Sequence, residues 1–154
     1  MSLLTLERET TDAPVVATER LLWVGPLTIL TSIVAVHVVR LAALTVVRVP
    51  EGSPMSVSLG WIAPTADTII LCSLAVIVFA IIASFSDDPL RTFQYVAGGA
   101  LLVSFLPALI MAPRGMNGSV SVIVTLILMH IAAYVPCVTM MPRLTSVELL
   151  ERTS

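Results

Sequence analysis

Four long, strongly apolar stretches, almost free of charge, dominate this chain of 154 residues. They lie near residues 22–46, 61–84, 91–112 and 119–141. The hydrocarbon core of a bilayer is about 30 Å thick, and about 20 helical residues are needed to cross it. Each stretch is therefore predicted to form a transmembrane helix, and short polar loops separate the four predicted spans.

The composition agrees with a membrane environment. Hydrophobic residues make up 57% of the chain and charged residues 12%, whereas soluble domains carry about 25% charged residues. The chain therefore has too few charges to coat a surface that faces water. The sequence predicts an all-α integral membrane protein, a four-helix bundle with short loops.

Two short tails flank the predicted transmembrane domain, which covers residues 21–142. Residues 1–20 are polar and mixed in charge; they lack the basic start of a secretory signal, so the first span is expected to be retained as an anchor. Residues 143–154 form the second tail. There Thr145 and Glu148 have the capping-box spacing of a short helix, which is expected at the membrane surface.

The arginines predict the orientation in the membrane. With four spans, the two tails and the loop at 86–91 share one side, which carries Arg8, Arg20, Arg91, Arg143 and Arg152. The other side carries Arg48 and Arg114, with Arg40 as a third if it is counted there. Cytoplasmic segments carry the excess of Arg, so the sequence predicts a multi-pass protein of the cell membrane with both termini in the cytoplasm.

Five polar residues inside the predicted spans are the candidate ligand-binding residues. An ionisable group in a membrane-spanning helix costs from about 2.5 to more than 10 kcal/mol, so it usually faces the bundle interior or a wet cavity. At about 1.5 Å per residue, counted from the outer end of each span, the depths are about 13 Å for His37, 9 Å for Arg40, 9 Å for Asp67, 12 Å for Ser104 and 16 Å for His130. All five fall in the outer half of the membrane, which predicts one outward-facing polar pocket. Arg40 and Asp67 are expected to pair across the first two spans.

Helical spacing places some of these residues on defined faces. In the fourth span one stripe is formed by Leu126, His130, Ala133 and Cys137. In the first span, Thr28 and Ser32 lie on the face opposite His37; either both faces contact neighbouring helices, or one contacts a second copy. Cys72 and Cys137 form no CxxC pair, so each is expected to behave as a small buried hydrophobic residue.

Three segments resemble a family of uncharacterised bacterial four-span membrane proteins, known as a domain of unknown function. The segments are APTADT (63–68), DDPLRTFQYVAGGALLVSFLPAL (87–109) and LILMHIAAYV (126–135). They carry the P-x-R-x-F turn, the S-x-x-P of the third span and the MH of the fourth, and the resemblance covers residues 22–143. It implies the fold and the membrane location but no activity. His37 stands where the family is expected to have an amide residue.

Three functions stay open at this point. The first is binding or passing a small ligand, lipid or ion through the outward-facing pocket. The second is a structural or accessory subunit of a larger membrane complex, favoured by the small residues at 97–100. The third is a haem b protein with His37 and His130 as the two axial ligands.

No enzyme is predicted, because no nucleophile with a base, no metal-ligand cluster and no nucleotide loop is evident. No cofactor or metal is assigned. The partners expected are the lipid bilayer and either further copies of the chain or a larger membrane complex. The net charge of −2 gives no reason to expect nucleic acid.

Overall fold

The computed structural model describes residues 16–47, 54–115 and 120–146, with the backbone alone at 54–55 and 111–115. The helices are α1 (Leu21–Leu44), α2 (Pro54–Ser58), α3 (Ile62–Phe85), α4 (Pro89–Gly115) and α5 (Val120–Thr145). A 3-10 turn, Thr18–Arg20, leads into α1. The four long helices confirm the predicted all-α four-helix bundle.

All four long helices are long and apolar enough to cross a membrane. Large aliphatic side chains remain exposed on their outer faces, for example Leu30, Ile70, Leu102 and Val135. In water so much contiguous apolar surface would favour aggregation, whereas lipid solvates it. The helices therefore indicate a multi-pass membrane protein, as their composition predicted.

The helices form a ring in the order α1, α3, α4, α5. α1 packs mainly against α5 and α3, and α4 packs against the same two helices. A direct hydrogen bond of 3.0 Å from the Ala17 amide to the Thr145 carbonyl joins the start of α1 to the end of α5. We call this the terminal end of the bundle, and the end that carries α2 the connection end.

The last helix is longer than predicted. α5 continues through Pro142 to Thr145, although a proline inside a helix removes one backbone hydrogen bond and usually ends or kinks it. The Thr145 hydroxyl donates to the Met141 carbonyl at 2.6 Å, and the bond from Ala17 holds the same turn in place. Thr145 therefore belongs to α5 and does not begin a separate surface helix; Glu148 lies outside the described residues.

The terminal half of the bundle is tightly packed and apolar. Phe79 and Phe93 meet edge to face with ring centroids 4.8 Å apart, and Val24 and Met141 are fully buried beside them. Gly25 brings α1 close to α3, since a Cβ atom at this position would lie 3.3 Å from a methyl carbon of Val76. A cavity that contains polar side chains lies toward the connection end instead.

α1 contacts neighbouring helices on both of its polar faces. Thr28 and Ser32 are buried, and the Ser32 hydroxyl donates to the Ala133 carbonyl of α5 at 3.1 Å. His37, on the opposite face, bonds with Thr65 of α3. The two faces of α1 are therefore both used inside one chain, and neither requires a second copy.

Candidate functional site

A cavity of about 320 Å³ lies in the connection half of the bundle. All four long helices contribute to its wall, which includes Val36, Pro64, Asp67, Thr68, Pro107 and His130. We call it the Asp67 cavity. Most of the wall is aliphatic, so its few polar groups determine what it can bind.

The Asp67 carboxylate is the charged group of this cavity. Asp67 lies in the second turn of α3, where the helix has just begun at Ile62, and its side chain is exposed. Among the side chains that the structure describes, those of residues 16–47, 56–110 and 120–146, it makes neither a hydrogen bond nor an ion pair. A charge that lacks a partner in a membrane-spanning helix is unfavourable unless water or a ligand solvates it.

His130 of α5 offers a second acceptor to the same cavity. Its Nδ1 lies 2.7 Å from the Leu126 carbonyl one turn earlier. Because a carbonyl only accepts, Nδ1 must carry the hydrogen, and in the neutral ring Nε2 then presents a lone pair. Nε2 has no hydrogen-bond partner in the described part of the chain. The ring of Phe105 packs edge-on at 6.3 Å and limits the orientation of the imidazole.

The other polar groups that line the cavity are hydroxyl groups, which carry no positive charge. The Thr68 hydroxyl donates to the Pro64 carbonyl at 2.6 Å, so its oxygen remains as an acceptor. Ser58 supplies one more hydroxyl at the rim, and no Arg belongs to the described wall. The site is therefore dominated by hydrogen-bond acceptors and carries one negative charge.

Arg40 does not pair with Asp67, contrary to the sequence-based expectation. Its Nε donates to the Leu59 carbonyl at 2.5 Å, and its guanidinium lies 4.6 Å from the centre of the Trp61 ring. Arg40 is 7% exposed. The segment between α2 and α3 folds back against α1, so that a backbone carbonyl and an aromatic ring contact the cation.

His37 belongs to the same group of contacts. Its Nε2 lies 2.8 Å from the Thr65 hydroxyl, which itself donates to the Trp61 carbonyl at 2.7 Å. The single hydroxyl hydrogen is thus already used, so His37 Nε2 is the donor. The His37 ring packs on Trp61 at 4.5 Å between centroids. We call His37, Arg40, Leu59, Trp61 and Thr65 the α1–α3 cluster; it fastens the connection end to α1.

The structure thus divides the five residues predicted to form one pocket. Asp67 and His130 share the Asp67 cavity, while His37 and Arg40 belong to the α1–α3 cluster. The Ser104 hydroxyl donates to the Leu101 carbonyl at 2.7 Å. Ser104 lines a second cavity of about 180 Å³ between α3, α4 and α5, where His130 also contributes.

Comparisons with models of protein families, with curated proteins and with solved structures found no match. The resemblance to a bacterial four-span family therefore stays a prediction. The geometry of the chain itself must carry any functional argument.

That geometry offers no support for a haem between His37 and His130. His37 lines neither cavity, and its Nε2 is already bonded to Thr65. An axial ligand needs a free nitrogen aimed at a shared space, and only the His130 ring meets that condition. Among the described residues, no group of three or more His, Cys, Asp or Glu side chains could hold a metal ion.

Several contacts gave no signal in the sequence. The Trp61 ring contacts both His37 and Arg40. Thr65 looked like an ordinary helix residue, and the Leu59 carbonyl is a backbone group that any residue would provide. Cys72 and Cys137 are buried as expected, but their sulfur atoms are 3.5 Å apart.

Proposed function

We propose that this chain is a membrane protein that binds a small amphiphilic molecule in the Asp67 cavity. The ligand would carry a positive charge or an N–H donor on an apolar body. The observation that carries the proposal is the Asp67 carboxylate, which has no partner among the described side chains and shares one cavity with His130.

Charge complementarity favours a ligand whose polar group is positively charged. An anion would meet the Asp67 carboxylate, and no cation among the described side chains offsets that charge, because Arg40 is held by Leu59 and Trp61. A protonated amine can instead donate to the carboxylate and to His130 Nε2 together. Hydrogen bonds to a charged group contribute about 1.5–3 kcal/mol each.

The aliphatic wall of the cavity favours a ligand whose remaining part is apolar. Val36, Leu71, Leu126 and Met129 face the cavity, so an apolar body is favoured over a free inorganic cation. The volume of about 320 Å³ falls at the lower end of the range for small-molecule sites, about 300–1,000 Å³. The site therefore suits a compact molecule rather than a whole lipid.

The arginine bias supports an extracytoplasmic opening. The Asp67 cavity lies toward the connection end, opposite the terminal end where Ala17 meets Thr145. If both termini lie in the cytoplasm of a cell-membrane protein, as the excess of Arg favours, the cavity opens to the other side. The ligand would then enter from outside the cell. We assign the protein no catalytic activity and no resident cofactor.

Native mass spectrometry from mild detergent tests this proposal because it reports bound molecules and copy number together. We expect a small bound amine with the wild type and its loss with Asp67→Asn. Asp87, an exposed aspartate in the loop before α4, provides the matched control Asp87→Asn, which should keep the bound mass. Retention of the same mass by Asp67→Asn would contradict the proposal.

A second candidate is an accessory subunit that docks through α4. A Cβ atom at Gly99 would meet no heavy atom within 4 Å, and one at Gly98 would meet only the Tyr134 hydroxyl at 3.8 Å. Small residues on an open helix face allow close helix–helix packing in membranes. Purification as a lone monomer from mild detergent would count against this alternative.

A further inference from the structure

Cys72 of α3 and Cys137 of α5 meet inside the bundle. Their sulfur atoms are 3.5 Å apart, and the two side chains are 2% and 6% exposed. A disulfide bond is about 2.0 Å long, so the sulfur atoms need to approach by about 1.5 Å to form one. Rotation of the side chains can supply much of that distance.

A separate apolar cavity borders the thiol pair. The second cavity, of about 180 Å³, is lined by Cys72, Cys137, Phe93 and Ala97 among others, and nearly all of its surface is apolar. We call it the thiol cavity. A dry apolar cavity of about 150 Å³ is large enough to bind benzene, so a single six-membered ring fits here.

The wall of the thiol cavity reaches the apolar outer surface of the bundle. Its rim includes Leu71, Leu74 and Val96, which are 47%, 54% and 45% exposed on the outer faces of α3 and α4. A lipid-soluble ring compound can therefore reach the two thiols from the bilayer.

We propose that Cys72 and Cys137 form a dithiol–disulfide couple, and that the thiol cavity admits a lipid-soluble quinone as its two-electron oxidant. In the step, the S–H bonds of both thiols break and one S–S bond forms. The two electrons and two protons reduce the quinone to its quinol, so atoms and charge balance. The product is a covalent link between α3 and α5. This inference does not depend on the ligand of the Asp67 cavity.

The primary test uses the reduced wild-type protein in lipid nanodiscs without oxygen, with duroquinone as the probe. Duroquinone is a fully substituted ring and so does not form stable arylated thiols. We expect loss of both free thiols, a mass lower by two hydrogen atoms, a Cys72–Cys137 linked peptide and one equivalent of quinol. Thiols that stay free in the wild type would overturn the proposal. This experiment uses the wild-type protein, so it does not depend on whether a variant folds.

Matched variants test the role of the thiol cavity. Ala97→Leu fills the cavity from α4, whereas Gly99→Leu places the same side chain on the same helix where it meets nothing within 4 Å. We expect Ala97→Leu to lose most of the rate of oxidation by duroquinone and Gly99→Leu to keep it. Single Cys72→Ser and Cys137→Ser variants should yield no quinol. Equal rates in the two leucine variants would overturn the assignment of the cavity as the quinone site.

Discussion

Asp67 on α3 and His130 on α5 face one cavity from opposite walls, and neither side chain is neutralised by an ion pair in the described ranges. A carboxylate in a membrane-spanning helix is unfavourable unless water or a ligand solvates it, and the Nε2 atom of His130 has no hydrogen-bond partner among the described side chains. The arrangement is therefore better explained by binding than by folding.

The α1–α3 cluster, in contrast, is expected to support the fold. Replacing Arg40 by Ala removes the bond to the Leu59 carbonyl and the contact with Trp61, and should lower the free energy of unfolding by about 1.5–3 kcal/mol. Arg40→Lys keeps the charge but not the planar fork that stacks on the ring, so it should restore only part of the loss. Thermal unfolding in detergent measures both variants.

Arg91 gives the control for this prediction. It is exposed, and its guanidinium lies 5.9 Å from the centre of the Tyr95 ring. Arg91→Ala should change the stability by less than about 1 kcal/mol, since exposed cation–π contacts contribute about 0.5–1 kcal/mol. Equal losses for Arg40→Ala and Arg91→Ala would show that the cluster has no special role.

The bond between His37 and Thr65 should appear as a coupling energy. Thr65→Val leaves the half-buried His37 side chain without the acceptor of its Nε2 hydrogen and should destabilise the protein by about 1–3 kcal/mol. In the background of His37→Phe, the same threonine substitution should cost less, by about 0.5–1.5 kcal/mol. A double-mutant cycle of unfolding free energies measures this difference, and strictly additive values would argue against the bond.

Two glycines in helices should respond differently to the same substitution. Gly25→Leu forces a large side chain against Val76, where even a Cβ atom would lie at 3.3 Å, and overpacking typically costs about 1–3 kcal/mol. Gly99→Leu meets open space and should be neutral or slightly stabilising, because leucine has the higher helix propensity. Unfolding midpoints of the two variants provide the comparison.

Cysteine labelling can test the orientation in the membrane. In a Cys72→Ser/Cys137→Ser background, we expect Val57→Cys to react with an impermeant maleimide in intact cells. Thr18→Cys and Asp87→Cys should react only after the membrane is permeabilised. All three native side chains are exposed, so accessibility within the protein does not limit the reaction. The reverse pattern would place the termini outside and the Asp67 cavity on the cytoplasmic face.

The helices could be predicted because lipid leaves few alternatives. A chain in hydrocarbon must satisfy its backbone groups internally, so a long apolar run predicts a helix directly. The predicted fourth span ended at residue 141, because a proline such as Pro142 normally ends a helix. Here the tertiary bond between Ala17 and Thr145 holds the extra turn, and no local pattern reveals such a bond.

The partners of the polar residues were harder to predict than the residues themselves. The similar depths of Arg40 and Asp67 in the membrane predicted an ion pair between them. Depth does not, however, give the rotation of each helix about its axis or the path of the loop that joins two helices. The actual partner, the Leu59 carbonyl, has no side-chain signature. Cys72 and Cys137 meet for the same reason: their contact depends on how α3 and α5 pack, which their separation in the sequence does not indicate.

The most direct test of amine binding at Asp67 compares ligands that share one apolar body and differ in the charge of their polar group. Benzylamine, benzyl alcohol and benzoate would be titrated against the protein in detergent by calorimetry. If the Asp67 carboxylate binds the amine, benzylamine should bind most tightly of the three. Asp67→Asn should then weaken this binding about tenfold or more, as expected from the loss of one charge-assisted hydrogen bond. Asp87→Asn should leave the affinity unchanged. Equal affinities for the amine and the carboxylate, or unchanged binding of benzylamine to Asp67→Asn, would contradict amine binding at Asp67.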